Sequence, residues 1–205
     1  SLGNNVGFAA SHGSRLVFLN NDTEVRAGWL DPLLAPLADP EVMGTQPKLL
    51  YPDGRVQCVG VVFSGKTALG YPIYVDEAAD SPLVAANRRY RAVTGACFAV
   101  RATDFAAVGG FDPIFINGQE DIDLCYRLGH GRHVFEYTAG STVTHHEGRT
   151  KGRGRFIIHN RYSYAARWND AFPGDDADFY ARDRFMVAEY MIDRPELEEA
   201  GIACW

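Results

Sequence analysis

Cysteine is scarce: four residues in 205, Cys58, Cys97, Cys125 and Cys204, widely spaced and without a Cys-x-x-Cys pair. In a chain of this length that is no disulfide framework, and buried free thiols are expected instead. Positive charge is also short. Lys and Arg total 20 against 26 Asp and Glu, for a formal net charge of −6. Nucleic-acid binders carry a concentrated basic face. Here basic residues gather only once, at Arg149, Lys151, Arg153, Arg155 and Arg161, which fits a small phosphorylated ligand better than a duplex. No apolar run is long enough to span a bilayer, and no internal repeat stands out. A cytoplasmic setting is expected, with peripheral contact at the inner face of a membrane left open.

What is present suits one substantial core: 46% of residues are hydrophobic and 22% charged. Arg15 to Asn20 predicts a short buried strand ending in polar turn formers. Ala27 to Ala38 has helical periodicity, shortened or bent by Pro36. Val42 to Tyr51 predicts a second strand, Pro52-Asp53-Gly54 a turn, and Val56 to Phe63 a returning strand. Gly65 to Ser81 is expected to be a long surface loop. Further on come a strand over Arg91 to Val100, a short helix over Ala102 to Val108, and a helix over Gln119 to Leu128. Short strands follow at His133 to Tyr137 and Ser141 to Thr144, then a glycine- and arginine-rich loop at Gly148 to Gly154. Helices are expected over Arg155 to Trp168 and, more weakly, Tyr180 to Tyr190. The alternation is that of a mixed α/β fold.

Three polar sites punctuate this pattern. Asn20-Asn21-Asp22 follows the first strand. Gly109-Gly110-Phe111-Asp112 leads into Gly118-Gln119-Glu120-Asp121-Ile122-Asp123, and His145-His146 follows another apolar run. Hard oxygen ligands, imidazoles and a candidate base in one small chain point to metal-assisted chemistry on a charged substrate. Blander roles exist for each. Asp22 suits a turn or helix cap, the three acids of 120–123 suit a helix N-terminus, and a histidine often only bridges strand and loop. The adjacent histidines diverge on an extended strand, so one of them at most faces a site.

The order of short motifs resembles the family 2 glycosyltransferases. They are Asn4-Asn5-Val6-Gly7-Phe8-Ala9, Phe18-Leu19-Asn20-Asn21-Asp22-Thr23, Gly28-Trp29-Leu30, Gln46-Pro47-Lys48-Leu49, Asp53-Gly54 and Gly95-Ala96-Cys97-Phe98. Val108 to Asp112, Glu120 to Arg127 and Val143 to Gly148 complete the series. The nearest subgroup is the rhamnosyltransferase-like enzymes of bacterial polysaccharide synthesis, and the likeness covers roughly Asn4 to Arg161. It implies a GT-A fold, a mixed sheet flanked by helices, that transfers a sugar from a nucleotide-diphosphate donor with inversion to a hydroxyl of a saccharide or lipid-linked acceptor. It implies a divalent cation, Mn2+ or Mg2+, held by Asp22 and His145. Asn20, Asn21 and Asp22 stand at the diphosphate motif, with Asn20 where an acid is usual. Arg149 and Lys151 are expected over the diphosphate. Asp121 is implied as the base, Glu120 as its neighbour orienting acceptor or backbone, and Gly95, Phe111, Asp112 and Glu120 as acceptor-side residues.

The family's opening strand and nucleobase-binding loops normally precede the Asn-rich segment. The resemblance therefore implies the later part of a catalytic domain, incomplete at its N-terminus. Residues 1–170 form the partial GT-A unit and 171–205 a helical extension. An exposed sheet edge on such a unit is expected to be covered by self-association or an added strand. Two other classes use similar residues. A metal-dependent pyrophosphate or phosphoester hydrolase predicts a second clustered metal site, and a non-catalytic glycan-binding or supporting module is told apart by donor binding with manganese.

Overall fold

The computed structural model describes residues 1–146, 153–168 and 171–190. A mixed sheet runs in the order β1 (Arg15–Leu19), β8 (Cys97–Arg101), β3 (Gly44–Leu50), β9 (Phe135–His145), β2 (Thr23–Val25), with β4 (Val56–Cys58) beside β3 and β7 (Arg88–Tyr90) beside β9. β5 (Val61–Phe63) and β6 (Gly70–Pro72) form a separate antiparallel pair. Strand β8 is antiparallel to both β1 and β3, while β9 is parallel to β3. β1, β3 and β9 therefore point the same way. Their carboxyl ends, with the start of β8, share one edge of the sheet, which is where open α/β sheets take ligands.

Every residue of β3 is buried, so it reads as an unbroken run rather than an alternation. Pro47 sits inside this central strand, where it offers no N–H to the ladder. The register between β3 and β9 shifts there: Pro47 faces Thr138 and Lys48 faces Thr142. The bulge absorbs the missing donor. It also joins the two short strands expected at 133–137 and 141–144 into one strand of 11 residues.

Around the sheet lie α1 (Leu2–Ala9), α2 (Leu30–Leu34), α3 (Ala102–Ala107), α4 (Glu120–Gly129), α5 (Ile157–Trp168) and α6 (Asp176–Arg182). The larger core is rich in phenylalanine: Phe18 lies 4.9 Å from Phe105 and 5.1 Å from Phe111, ring centre to ring centre. Phe8 of α1 meets Phe105 edge-on at 5.0 Å. Such edge-to-face contacts suit the ring quadrupole. A second core gathers Val59, Val62, Ile73, Tyr90, Tyr137 and Phe179. Cys58, Cys97 and Cys125 are buried free thiols, and burial pushes Cys97 up to about 12.

Several expectations need correcting. The helix over 27–38 is α2 followed by a 3-10 turn over Ala35–Ala38, because Pro36 removes an N–H the α-helix would need. The strand over 56–63 breaks into β4 and β5 at Gly60, whose φ of +142° falls outside the range of ordinary strand residues. The expected loop 65–81 contains β6. Helix α6 occupies 176–182, ahead of the expected 180–190. Most of the Gly148 to Gly154 loop lies outside the described residues.

Residues 171–190 are tied to the body that precedes them. The Asp175 carboxylate accepts the Phe63 N–H at 2.7 Å and pairs with His133 at 3.0 Å and Arg91 at 3.4 Å. Arg88 forks onto Asp183, and Phe179 stacks on Tyr90 at 4.8 Å. Helix α5 is locked onto α4 through Asp123, which has no solvent exposure. Its carboxylate accepts from Arg127 Nε at 2.8 Å, Arg167 Nη1 at 2.6 Å and Trp168 Nε1 at 3.0 Å. Removing one member of a buried ionic cluster leaves the others uncompensated, a cost of 3–5 kcal/mol for fully buried pairs. Both guanidinium groups retain some solvent. Asp123→Asn is therefore expected to lower the unfolding free energy in urea by about 3 kcal/mol, the low end of that range.

Candidate active site

At the carboxyl edge of the sheet a cavity of about 480 Å³ is lined by Asn20, Asn21 and Asp22 after β1, Gln57 of β4 and Gly95 before β8. Residues 117–122 at the head of α4, Tyr71 of β6 and His145 at the end of β9 complete the lining that matters for chemistry.

The Asp22–His145 pair is built by the sheet. Thr23 pairs with His145 in the β2–β9 ladder, and the His146 N–H donates to the Asp22 carbonyl at 2.8 Å. This brings Asp22 Oδ1 to 3.2 Å from His145 Nε2. On the other side of the ring, Nδ1–H donates to Gln57 Oε1 at 2.7 Å. In the neutral tautomer that bond leaves the Nε2 lone pair facing Asp22, with the Asn20 amide at 3.5 Å. A histidine oriented through its other nitrogen beside a carboxylate is the usual arrangement of a metal-ligating imidazole. The pair therefore fits a divalent cation. Among the described residues no three His, Cys, Asp or Glu side chains gather to hold a metal. A cation here would need its remaining ligands from substrate or water. His146 turns away and pairs with Glu24 at 2.8 Å.

Across the cavity, Asp121 sits in the first turn of α4. Its Oδ2 accepts the Gly95 N–H at 2.8 Å and its Oδ1 the Ile122 N–H at 2.9 Å. Both carboxylate oxygens keep a further lone pair for a ligand. Glu120 Oε2 accepts the Gly118 N–H at 2.5 Å and so stiffens the loop before the helix. Burial, with the Asp121 charge second, raises the Glu120 carboxyl above its ordinary value. The loop itself is strained: Asn117 and Gln119 have φ of +52° and +67°, a left-handed conformation unusual for residues other than glycine. Asn160 of α5 clamps it from behind, its amide accepting the Ile116 N–H at 2.9 Å and donating to the Ile116 carbonyl at 2.8 Å. Gln119 lines the cavity with its side-chain oxygen buried and unpartnered among the described residues.

The structure thus brings Asn20, Asn21, Asp22, Gly95, Glu120, Asp121 and His145 to one cavity. Phe111 lines the cavity as well, although the residue is only 2% exposed and its ring packs on Phe18 and Phe105. The structure takes one of the expected acceptor residues, Asp112, elsewhere. Asp112 is not part of the lining, because its carboxylate takes Arg167 Nη2 at 2.8 Å and the Ile114 N–H at 3.0 Å. Arg149 and Lys151 lie outside the described residues. Sequence reasoning missed Gln57, Tyr71 and Gln119. Gln119, next to the acidic pair and after a glycine, carried a faint signal, whereas Gln57 carried none.

No family model matches the chain. Its relatives include an uncharacterized protein, y4gI, of Sinorhizobium fredii, 34% identical over 73% of this chain and 17% of that protein. The O-antigen biosynthesis protein RfbC of Myxococcus xanthus is 34% identical over 70% of this chain and 12% of its own length. An N-acetylglucosaminyl-diphospho-decaprenol L-rhamnosyltransferase of Mycobacterium tuberculosis is 28% identical over 73% of this chain and 53% of that enzyme. The chain thus spans from about an eighth to about half the length of these relatives. Among solved structures, GalNAc-T7 with UDP, GalNAc and Mn2+ superposes with a TM-score of 0.57 at 18% identity, over 81% of this chain and 37% of that one. The fold is that of the GT-A glycosyltransferases. Within that class the chain is similar to the O-antigen biosynthesis protein and the rhamnosyltransferase just described.

The raised Glu120 carboxyl has a consequence for stability. A folded value above the unfolded one means the native state binds the proton more tightly, so this contribution is full below the unfolded value and lost as pH rises through the folded one. Glu120→Gln keeps an acceptor for Gly118 and carries no charge. Its unfolding midpoint is expected to match wild type near pH 4 and to exceed it at pH 7 to 8; equal midpoints throughout would contradict the burial assigned to this carboxyl.

Proposed function

We propose that this domain transfers a sugar from a nucleotide-diphosphate donor to a hydroxyl of a saccharide or lipid-linked acceptor, with inversion, in bacterial polysaccharide synthesis. The observation that carries the proposal is the placement of Asp22, His145 and Asp121 around one cavity. Asp121 accepts the acceptor hydroxyl proton as the oxygen bonds to the anomeric carbon, a role that needs a carboxylate within hydrogen-bond reach. The bond from that carbon to the diphosphate oxygen breaks on the opposite face, and its electron pair leaves with the diphosphate. A divalent cation, Mn2+ or Mg2+, held by Asp22 and His145 would supply charge stabilisation for the departing diphosphate. Asn20 and Asn21 supply amides to the same anion, and Arg149 and Lys151 are assigned to it from sequence alone. The Gly95 amide and the Glu120-braced loop keep Asp121 in place. The relatives named for O-antigen synthesis and rhamnosyl transfer support the same substrate class.

Calorimetry with inorganic pyrophosphate, UDP, dTDP and GDP, each with and without MnCl2, tests the donor half. At least one is expected to bind in a cation-dependent way, and Asp22→Ala or His145→Ala to weaken it tenfold or more. Cation-independent binding, or none, would refute the assignment. Asp121→Asn is expected to leave that binding within twofold while lowering transfer about 10²- to 10⁴-fold, the range for loss of a general base. Retained transfer would place the base elsewhere.

A further inference from the structure

The β5–β6 hairpin forms a wall of the cavity through Val61, Gly70, Tyr71 and Pro72. It is braced on the helix that carries Asp121. Phe63 stacks on Tyr126 of α4 at 5.1 Å, and a Cβ at Gly70 would stand 2.7 Å from Ile122 Cδ1, so the glycine lets the strand lie close against the helix. From behind, the hairpin is held by the C-terminal segment. The Asp175 N–H donates to the Phe63 carbonyl at 2.9 Å, Asp176 Oδ1 accepts the Gly65 N–H at 3.1 Å, and the Tyr164 hydroxyl donates to the Ala68 carbonyl at 2.9 Å.

Tyr71 stands between these two sides. Its hydroxyl donates to Asp176 Oδ2 at 3.0 Å, and Asp176 is 1% exposed. The polar end of Tyr71 is thereby committed to a buried carboxylate, and the half-buried residue offers the cavity its ring. A tyrosine ring lining the same cavity as a carboxylate base, with its own hydroxyl engaged, is suited to the C–H face of a pyranose, whose weakly positive hydrogens meet the negative face of the ring.

We propose that Tyr71 is the stacking platform for the acceptor saccharide and that Asp176, through the Tyr71 hydroxyl, is its positioning residue. This rests on the transferase reading above and adds to it the place and chemical class of the acceptor subsite. It also gives residues 171–190 a part in the site: they hold the acceptor wall against α4.

The test uses the methyl glycosides of rhamnose, N-acetylglucosamine and galactose as probes, titrated by saturation-transfer NMR in the presence of MnCl2 and pyrophosphate. At least one is expected to bind, with transfer to the C–H protons of one sugar face. Tyr71→Ala is expected to weaken it tenfold or more. Tyr71→Phe keeps the ring but loses the tether and is expected to weaken it about threefold; Asp176→Ala, which loses that tether and the Gly65 contact, should weaken it at least as much. Cation-dependent pyrophosphate binding, measured alongside, is expected to stay within twofold in every variant, which separates a local loss from misfolding. Glycoside binding unchanged in Tyr71→Ala would overturn the platform, as would absence of glycoside binding to wild type that binds pyrophosphate. Absence of pyrophosphate binding in wild type would remove the transferase reading, and this inference with it.

Discussion

The pairing of Thr23 with His145 is the constraint on which the site depends. It sets the end of β9 beside the turn after β1, so a carboxylate and an imidazole separated by more than a hundred residues stand 3.2 Å apart. A one-residue slip in this ladder would turn His145 outward and bring the next residue in. Two features oppose such a slip: the Asp22 carbonyl receives the His146 N–H, and Gln57 on β4 receives the proton of His145 Nδ1. The bulge at Pro47 fixes β9 against β3 further back. The register of β9 and the orientation of the imidazole are thus set by the same few contacts.

The opposite wall follows a different logic. Asp121 rides on the first turn of a helix whose entry is strained and clamped, by Glu120 from within and by Asn160 from α5. Asp123, two positions along, turns to the back of the helix and ties α5 in place through Arg127, Arg167 and Trp168. The acidic run thus divides its work: Asp121 faces the cavity, Glu120 stiffens the loop and Asp123 anchors the packing. The left-handed Asn117 and Gln119 are tolerated because these surroundings over-determine the loop.

Much of this was legible in the residues. The strand over Arg15 to Leu19 declares itself as a short apolar run, and the turn at Asn20–Asp22 follows from its composition. The alternating fates of His145 and His146 follow from strand periodicity alone. The GT-A resemblance rested on motif order, which local physics could not have supplied. What stayed hidden depends on long-range contacts. Asp112 was read with the acids beside it, and only the return of α5 shows that Arg167 takes it. Phe111 was read with its loop, and only the fold shows that its ring rests on Phe18 and Phe105 while the residue lines the cavity. Strand β6 hid in a segment rich in glycine and proline because its three residues are defined by pairing with β5 rather than by pattern. Gln57 looks like any polar residue in a strand until His145 is found opposite it.

Anomalous diffraction at the manganese edge, from crystals grown with MnCl2 and pyrophosphate, addresses the central claim most directly. The account predicts one strong peak in contact with both Asp22 Oδ1 and His145 Nε2, bridged to the pyrophosphate, with Asp121 facing it across open space. A peak coordinated by Glu120 and Asp121, or one outside the cavity altogether, would contradict it.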